Sequence, residues 1–576
     1  MSGVHMDDRL RLVPGFSLFR RNSSLSANPT TQGLSLRGIG SSGASRTLVL
    51  WDGLPLNDPF GGWVYWDRVS PEELERTEVT RAAYTSVFGD RAMGGALGLF
   101  TREPAPLRFS AGWDFGNRGA QQVSASGSYI WSRFAISSQF RAFTWDGYIL
   151  VPQPQRGKVD TEANSRFADG MLRLDYLGTS DRLFVRTDFL AEERKNGTPL
   201  QNNSTGLGMV GGTYVHDFGS STLSLLGYHS REQFHASFSS VAADRNSERL
   251  TSLQTVPSDS SGGGALWRGS NSRFSWITGT DLVHVEGYSM EQLFPAGSRI
   301  GGGTQFQYGI FGQGDVKLGA VRLFGGLRYH DAGASNRFWG PSGGAVAGVG
   351  RSRFRASAFR GFRAPTLNEL YREFRQGNVV TQANPALAPE TLNGTEAGYD
   401  FIGETFTASV TGFYNRLEGL ITNVTLSQTP ALITRQRRNA GAATSRGIEA
   451  DVRKRWGRWE GVLSYLMADS RYATGSRVPQ VARHQGTAQL SWRRKSTLLA
   501  GGLRTNSLAF EDDLNQFIMP GFLIWNAIAS QEISKGFSVN FAIENAFDRQ
   551  YLAGVSPAPL LAAPRLIRGG IRYNFR

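Results

Sequence analysis

The chain has 576 residues, 62 Lys and Arg against 48 Asp and Glu for a formal charge of +14, 70 glycines and no cysteine. The lack of cysteine excludes a disulfide scaffold, a thiolate zinc site and a cysteine nucleophile. No apolar run approaches the ~18–20 residues of a membrane helix, which leaves open a membrane β-barrel, whose strands are apolar only at alternate positions.

The basic excess is almost all arginine, scattered singly, with no charge run and no DNA-binding motif. Clustering is what makes an electrostatic footprint, so nucleic acid is not an expected partner. Dispersed arginine suits a polar lumen or a rim beside anionic lipid headgroups.

A break at Pro104–Pro106 divides the chain. Before it the pattern is mixed. A strand is predicted over Thr47–Trp51, then a turn at Asp52-Gly53, and a short helix over Pro71–Arg76, where proline followed by acids suits a helix start. A second strand, Thr77–Arg81, precedes the glycine-rich Gly94–Phe100. These elements make a small α+β unit. Gly38-Ile-Gly-Ser-Ser-Gly43 matches a dinucleotide fingerprint literally, but a strand-like segment follows where that site needs a helix, so it reads as a glycine-serine turn.

After the break, period-two alternation predominates. Phe134, Ile136 and Phe140 alternate with Ser137, Gln139 and Arg141; Leu183, Val185 and Phe189 with Arg186 and Asp188; Val410, Gly412 and Tyr414 with Thr411 and Asn415. The chain closes with Ile567, Gly569, Ile571, Tyr573 and Phe575 on one face. Roughly 470 residues shared among ~22 strands give about 21 residues for each strand and its connection. That accommodates strands of ~9–11 residues or somewhat longer. Tyr148, Tyr228, Tyr371, Tyr399, Tyr414 and Tyr573 near strand ends suit interfacial girdles. Closure removes the edges that so long an open sheet would expose. His229 and His235 can share a strand face, yet no carboxylate–histidine cluster has metal-ligand spacing and nothing marks a nucleophile elbow. No cofactor, metal or enzymatic activity is expected.

Val13-Pro-Gly-Phe16, Leu34-Ser-Leu-Arg-Gly38, Leu48–Leu56, Glu75–Val79 and Tyr84…Phe88-Gly89…Met93-Gly-Gly95 recur in order in the first hundred residues. Later come Gly361–Pro365, Asn384–Glu390, Thr395–Tyr399, Ser445–Glu449 and Glu544–Tyr551. Together these resemble the TonB-dependent outer-membrane receptors across nearly the whole chain. The resemblance implies a mainly β fold: a 22-stranded antiparallel transmembrane β-barrel (106–576) with a small α+β plug (1–105) inside the lumen. It further implies a monomer in the cell outer membrane, surrounded by outer-membrane lipid, that takes up a scarce, bulky ligand when the TonB complex loosens the plug. A ferric siderophore is the first candidate, since an arginine-rich lumen favours an anionic chelate; cobalamin and oligosaccharide stay open. Haem is disfavoured, because no histidine lies between Thr366 and Ala383. The alternative is an uncoupled outer-membrane binding protein, adhesin or channel.

The resemblance also implies plug arginines paired with barrel glutamates, at positions matching Arg37, Arg81, Glu396 and Glu449. Solvation of each inside a wet barrel is the alternative. Asn57–Trp66 is the expected apical plug loop, with Asn57, Asp58, Trp63, Tyr65 and Trp66 as ligand-binding candidates; aromatic packing against the wall competes with that reading. The opening residues show no apolar signal segment or TonB box, and set against the resemblance the plug is expected to lack its first strand and turn; a start further upstream is the expected reason, and a processed or truncated form the alternative. Arg81-Ala-Ala83 departs from the family's turn, and Phe575-Arg576 from its aromatic terminus.

Overall fold

The computed structural model describes residues 3–40, 43–81, 85–333, 336–376, 379–429, 432–556 and 558–575. Tyr84 of the plug motif, Ala82 and Ala83 of the departing turn, Ser41 and Ser42 of the glycine-serine turn, and Arg576 lie outside them.

Twenty-two antiparallel strands form a closed barrel. It begins at Leu107–Gly116 and ends at Leu566–Phe575, which pairs back onto the first strand from Arg568↔Gly116 to Phe575↔Phe109. The alternation decides which face each side chain takes. On Asp181–Thr198, Val185 and Phe189 are exposed to the outside while Arg186 and Asp188 are buried in the bore. Connections at one end are tight, such as Gly457-Arg458 and Lys495-Ser496, whereas those at the other reach the length of 364–389 and 545–565. Short turns mark the periplasmic end of such barrels and long loops the extracellular end.

Strand lengths run from 8 residues in Phe537–Glu544 to 24 in Ile433–Trp456. The longest far exceed the expected ~9–11. At about 3.3 Å per residue they outrun a hydrocarbon layer of ~30 Å even when tilted, and so raise the wall above the membrane.

Tyr399, Tyr414 and Tyr573 face outward as expected. Tyr148 does not: it is buried in the bore and its hydroxyl donates to Leu561 O at 2.9 Å. Tyr371 sits on a loop helix, and Tyr228 is half-buried on the same face as buried Ser230 and Glu232. The lower outer band is instead built from pairs such as Tyr129–Trp131, Trp267–Trp276 and Trp459–Trp492. A tyrosine tolerates either face of a strand, so residue type alone does not place it.

The N-terminal unit lies inside the barrel. Its four-stranded sheet has the order Leu54–Pro55, Leu48–Trp51, Ala96–Thr101, Leu74–Thr80, with the central pair parallel. Asp52 (φ 50°) and Gly53 (φ 86°) form the tight hairpin turn that both left-handed conformations permit. The helix expected over Pro71–Arg76 is absent; Leu74–Thr80 is a strand paired with Ala96–Thr101. A single helical turn gains little against its nucleation cost, and pairing with Ala96–Thr101 offers the same backbone groups a continuous ladder instead. One apolar cluster joins Val49, Trp51, Leu97 and Leu99 within the plug. A second joins plug residues Phe60, Trp63 and Tyr65 to Phe143, Phe167 and Phe234 of the wall.

Candidate functional site

Arg37 follows the short strand Leu34–Ser35 and precedes Gly38. Both adopt positive φ, 51° and 65°, and this bend turns the Arg37 side chain against the wall. Its guanidinium donates to Glu396 at 2.5 Å and to Glu449 at 3.0 Å, and lies 5.1 Å from the Phe413 ring centroid. Its carbonyl accepts from the Ser445 hydroxyl at 2.8 Å. Burial disfavours the charge, but Glu449 and Glu396 outweigh that and hold Arg37 protonated more firmly than an ordinary arginine. Arg81, at the end of Leu74–Thr80, sits 3.8 Å from Glu449 and 2.9 Å from Asp451. The structure therefore brings the four residues together and adds Asp451, which the sequence reading missed.

A second chain of charges lies higher in the bore. Arg46 grips Glu390 through two bonds of 2.9 and 2.7 Å. Glu390 also accepts from Arg363 at 2.8 Å and from the Ile421 amide at 2.9 Å. Arg363 then forks onto Glu369 at 2.8 and 3.0 Å. All four are buried. Glu369 is the third residue of the loop helix Leu367–Tyr371, whose start is closed by a capping box with Thr366. Burial raises the Glu369 carboxyl, yet Arg363 outweighs it and leaves the group below the usual carboxylate range. The same helix touches the plug directly, because the Asn368 amide donates to Phe60 O at 3.0 Å. An extracellular loop is thus wired to the plug through alternating charges. Arg363 and Glu390 fall in Gly361–Pro365 and Asn384–Glu390, segments singled out for their order and not for any chemistry.

The opposite wall repeats the motif with the signs mixed. Plug Arg68 meets wall Asp188 at 2.6 Å, plug Asp67 meets Arg194 at 2.5 Å, and plug Asp52 meets Arg186 at 3.0 Å. Arg186 also stacks over Trp51 at 3.9 Å. Arg141 pairs with Asp169 at 2.7 Å and donates to the plug carbonyls of Val4 and Asp67.

The apical loop places its candidates inward. Asn57 accepts from the Val49 amide at 2.8 Å and closes the loop on itself. Asp58 is 1% exposed, and Trp63, Tyr65 and Trp66 are 3%, 3% and 1% exposed. Tyr65 donates to wall Glu232 at 2.6 Å, and Trp66 packs edge-on against Phe16. Burial pushes the Asp58 carboxyl up, only partly offset by hydrogen bonds from Glu232 and Gly61. Contact of these side chains with a ligand requires the loop to shift. His229 and His235 are exposed on the outer wall, each bonded to a neighbouring hydroxyl.

A barrel closed by an ion-paired plug is matched by two family models: TonB dependent receptor-like, beta-barrel, over residues 112–546, and TonB-dependent Receptor Plug Domain, over residues 2–96. The chain belongs to the TonB-dependent receptors. Among solved structures, the siderophore receptor PirA from Acinetobacter baumannii superimposes with a TM-score of 0.80 at 13% identity, over 99% of this chain and 96% of that one. The copper transporter OprC gives 0.81 at 14% identity, over 99% and 96%. The FrpB iron transporter from Neisseria meningitidis gives 0.78 at 15%, over 100% and 97%. At such identity the likeness is one of fold. Membership in this family of receptors implies an outer-membrane protein that works with TonB and binds a small ligand.

Proposed function

We propose that this receptor sits as a monomer in the outer membrane, captures a scarce, bulky ligand from outside, and passes it inward when TonB draws on the plug. A ferric siderophore is the favoured cargo, ahead of cobalamin and oligosaccharide. The observation carrying the proposal is the plug itself. Its charges are bonded to the wall on both sides of the bore, so ligand passage needs plug movement and hence an energy source. Beneath the extracellular loops, Arg299 and Arg372 pair with Glu291 and Glu373, and Arg437 donates to the Arg372 carbonyl at 2.8 Å, an excess of positive charge that suits an anionic chelate. The Arg37–Glu396–Glu449–Arg81 cluster acts as the latch, and the Arg46–Glu390–Arg363–Glu369 chain reports on loop position.

Calorimetry against ferric siderophores, cobalamin and glycans identifies the ligand class, and uptake of the bound ligand is then compared in cells with and without TonB. Binding of a ferric siderophore with TonB-dependent uptake is expected. Equal uptake without TonB refutes energy coupling in favour of an uncoupled channel, and tight binding of a glycan in its place refutes the cargo.

A further inference from the structure

The outer wall carries a groove that the transport reading leaves without a role. It crosses the lipid-facing side of Ile433–Trp456, Trp459–Tyr472, His484–Arg494 and Thr497–Asn506, and holds about 480 Å³. The strand register explains it. Gly461 lies opposite Leu490, which lies opposite Gly501, while in the next row Leu463 lies opposite Ala488, which lies opposite Leu503. Small and large residues alternate in both directions, so the floor drops at Gly461, Ala488 and Gly501 between leucine walls. Trp456 and Trp525 stand at its sides. A second hollow of about 290 Å³ continues it toward Tyr465 and Thr505, sharing Val452, Leu463, Ala488 and Leu503.

The groove's lining includes a cation. Lys454 faces outward in the same row as Gly461, its register partner, and has no acidic partner among the described residues. A charged side chain on a lipid-facing wall is costly unless it reaches water or an opposite charge. Below it, at the tight-turn end, Arg458, Arg494 and Lys495 are exposed and likewise without acidic partners among the described residues. Arg453 and Arg455 are held by Glu460 at 2.8 and 2.5 Å, so they do not satisfy this rim. An apolar trough ending in unpaired cations is complementary in shape and charge to an acyl tail joined to an anionic headgroup.

We propose that this groove binds one anionic phospholipid of the periplasm-facing leaflet, an acyl chain lying over Gly461, Ala488 and Gly501 and the phosphate among Lys454, Arg458 and Arg494. The position of the cations at the short-turn end selects that leaflet over the extracellular one. The inference rests on the outer-membrane reading. The test reconstitutes the full-length barrel into nanodiscs of phosphatidylethanolamine and phosphatidylglycerol, then ejects it for native mass spectrometry.

One phosphatidylglycerol retained in preference to phosphatidylethanolamine is expected. Lys454→Glu and Arg494→Glu each lower that preference by about five-fold or more. Gly501→Phe or, independently, Ala488→Phe fills the floor and abolishes retention, with heat-modifiable mobility showing the barrel intact. Arg273→Glu, on a turn far around the rim, leaves retention unchanged. Retention indifferent to headgroup or to the floor variants overturns the proposal, as does a dimer peak without lipid, which assigns the groove to a second copy. Protein that inserts but retains no lipid sinks the groove alone; protein that fails to insert sinks the membrane reading with it.

Discussion

Removing the Arg37 guanidinium gives the most direct test of the latch. Its side chain is 5% exposed, and the partners Glu396 and Glu449 are 13% and 4% exposed. Arg37→Ala leaves two carboxylates facing each other across a dry contact, which in buried pairs costs about 3–5 kcal/mol. Arg81, 3.8 Å from Glu449, offsets part of this and points to the lower end of the range. The backbone separates two contributions. Arg37 holds φ 51°, which costs a side-chain-bearing residue roughly 1–2 kcal/mol that glycine avoids, so Arg37→Gly should lose about 1 kcal/mol less than Arg37→Ala. Hydrogen exchange of amides 34–40 reads the local opening. A loss of ~3 kcal/mol speeds exchange there by more than about a hundredfold. Neutralising the partners as well, in Arg37→Met with Glu396→Gln and Glu449→Gln, should recover most of the protection. Exchange within about three-fold of wild type in Arg37→Ala, or no recovery in the triple variant, refutes the argument.

Glu390→Gln leaves Arg46 and Arg363 sharing a neutral amide, and should lower stability by about 3–5 kcal/mol in denaturant unfolding, near the largest single effect in the bore. Tyr65→Phe deprives Glu232 of a buried donor and should cost about 1–3 kcal/mol, seen as a lower midpoint for plug release. Acid should act twice on the plug. The Asp67 carboxyl is pushed up by burial but held at about 2 by His5 and Arg194, so its contribution is full above the unfolded value near ~4 and lost as pH falls toward 2. Asp58, raised by burial, works in reverse: its contribution is present below ~4 and lost as pH rises through its elevated value. Proteolysis followed by pH should therefore show residues 58–63 tightening from neutrality to pH ~4, and residues 66–69 loosening below it. A single monotonic trend across both segments contradicts this assignment.

The barrel was legible because its cause is local. A two-residue period survives any strand length, and Arg186 beside Val185 states which side faces the bore. The helix expected at Pro71 failed for the converse reason: a pattern of six residues yields to a partner strand, with Leu74 opposite Thr101 and Arg76 opposite Phe100. The plug–wall contacts are the least local of all. Arg46 and Glu390 stand 344 residues apart, and no spacing rule reaches that far. Arg37 and Glu449 were found through the order of the family's segments. Asp188 and Arg141 had only their alternation, which assigns them to the bore but names no partner.

The lining of the stopper has a consequence for the empty bore. If the head withdraws, the surfaces that part include Arg186, Arg194, Asp188, Glu390 and Glu449 on the cylinder and Arg37, Arg46, Asp52, Asp67 and Arg68 on the head. Each of these side chains is charged and prefers water once its partner leaves. Water entering a parted bore can hydrate those charges, while the oily patch bared at Phe60, Trp63 and Tyr65 and at Phe143, Phe167 and Phe234 favours the stopper's return to its seat.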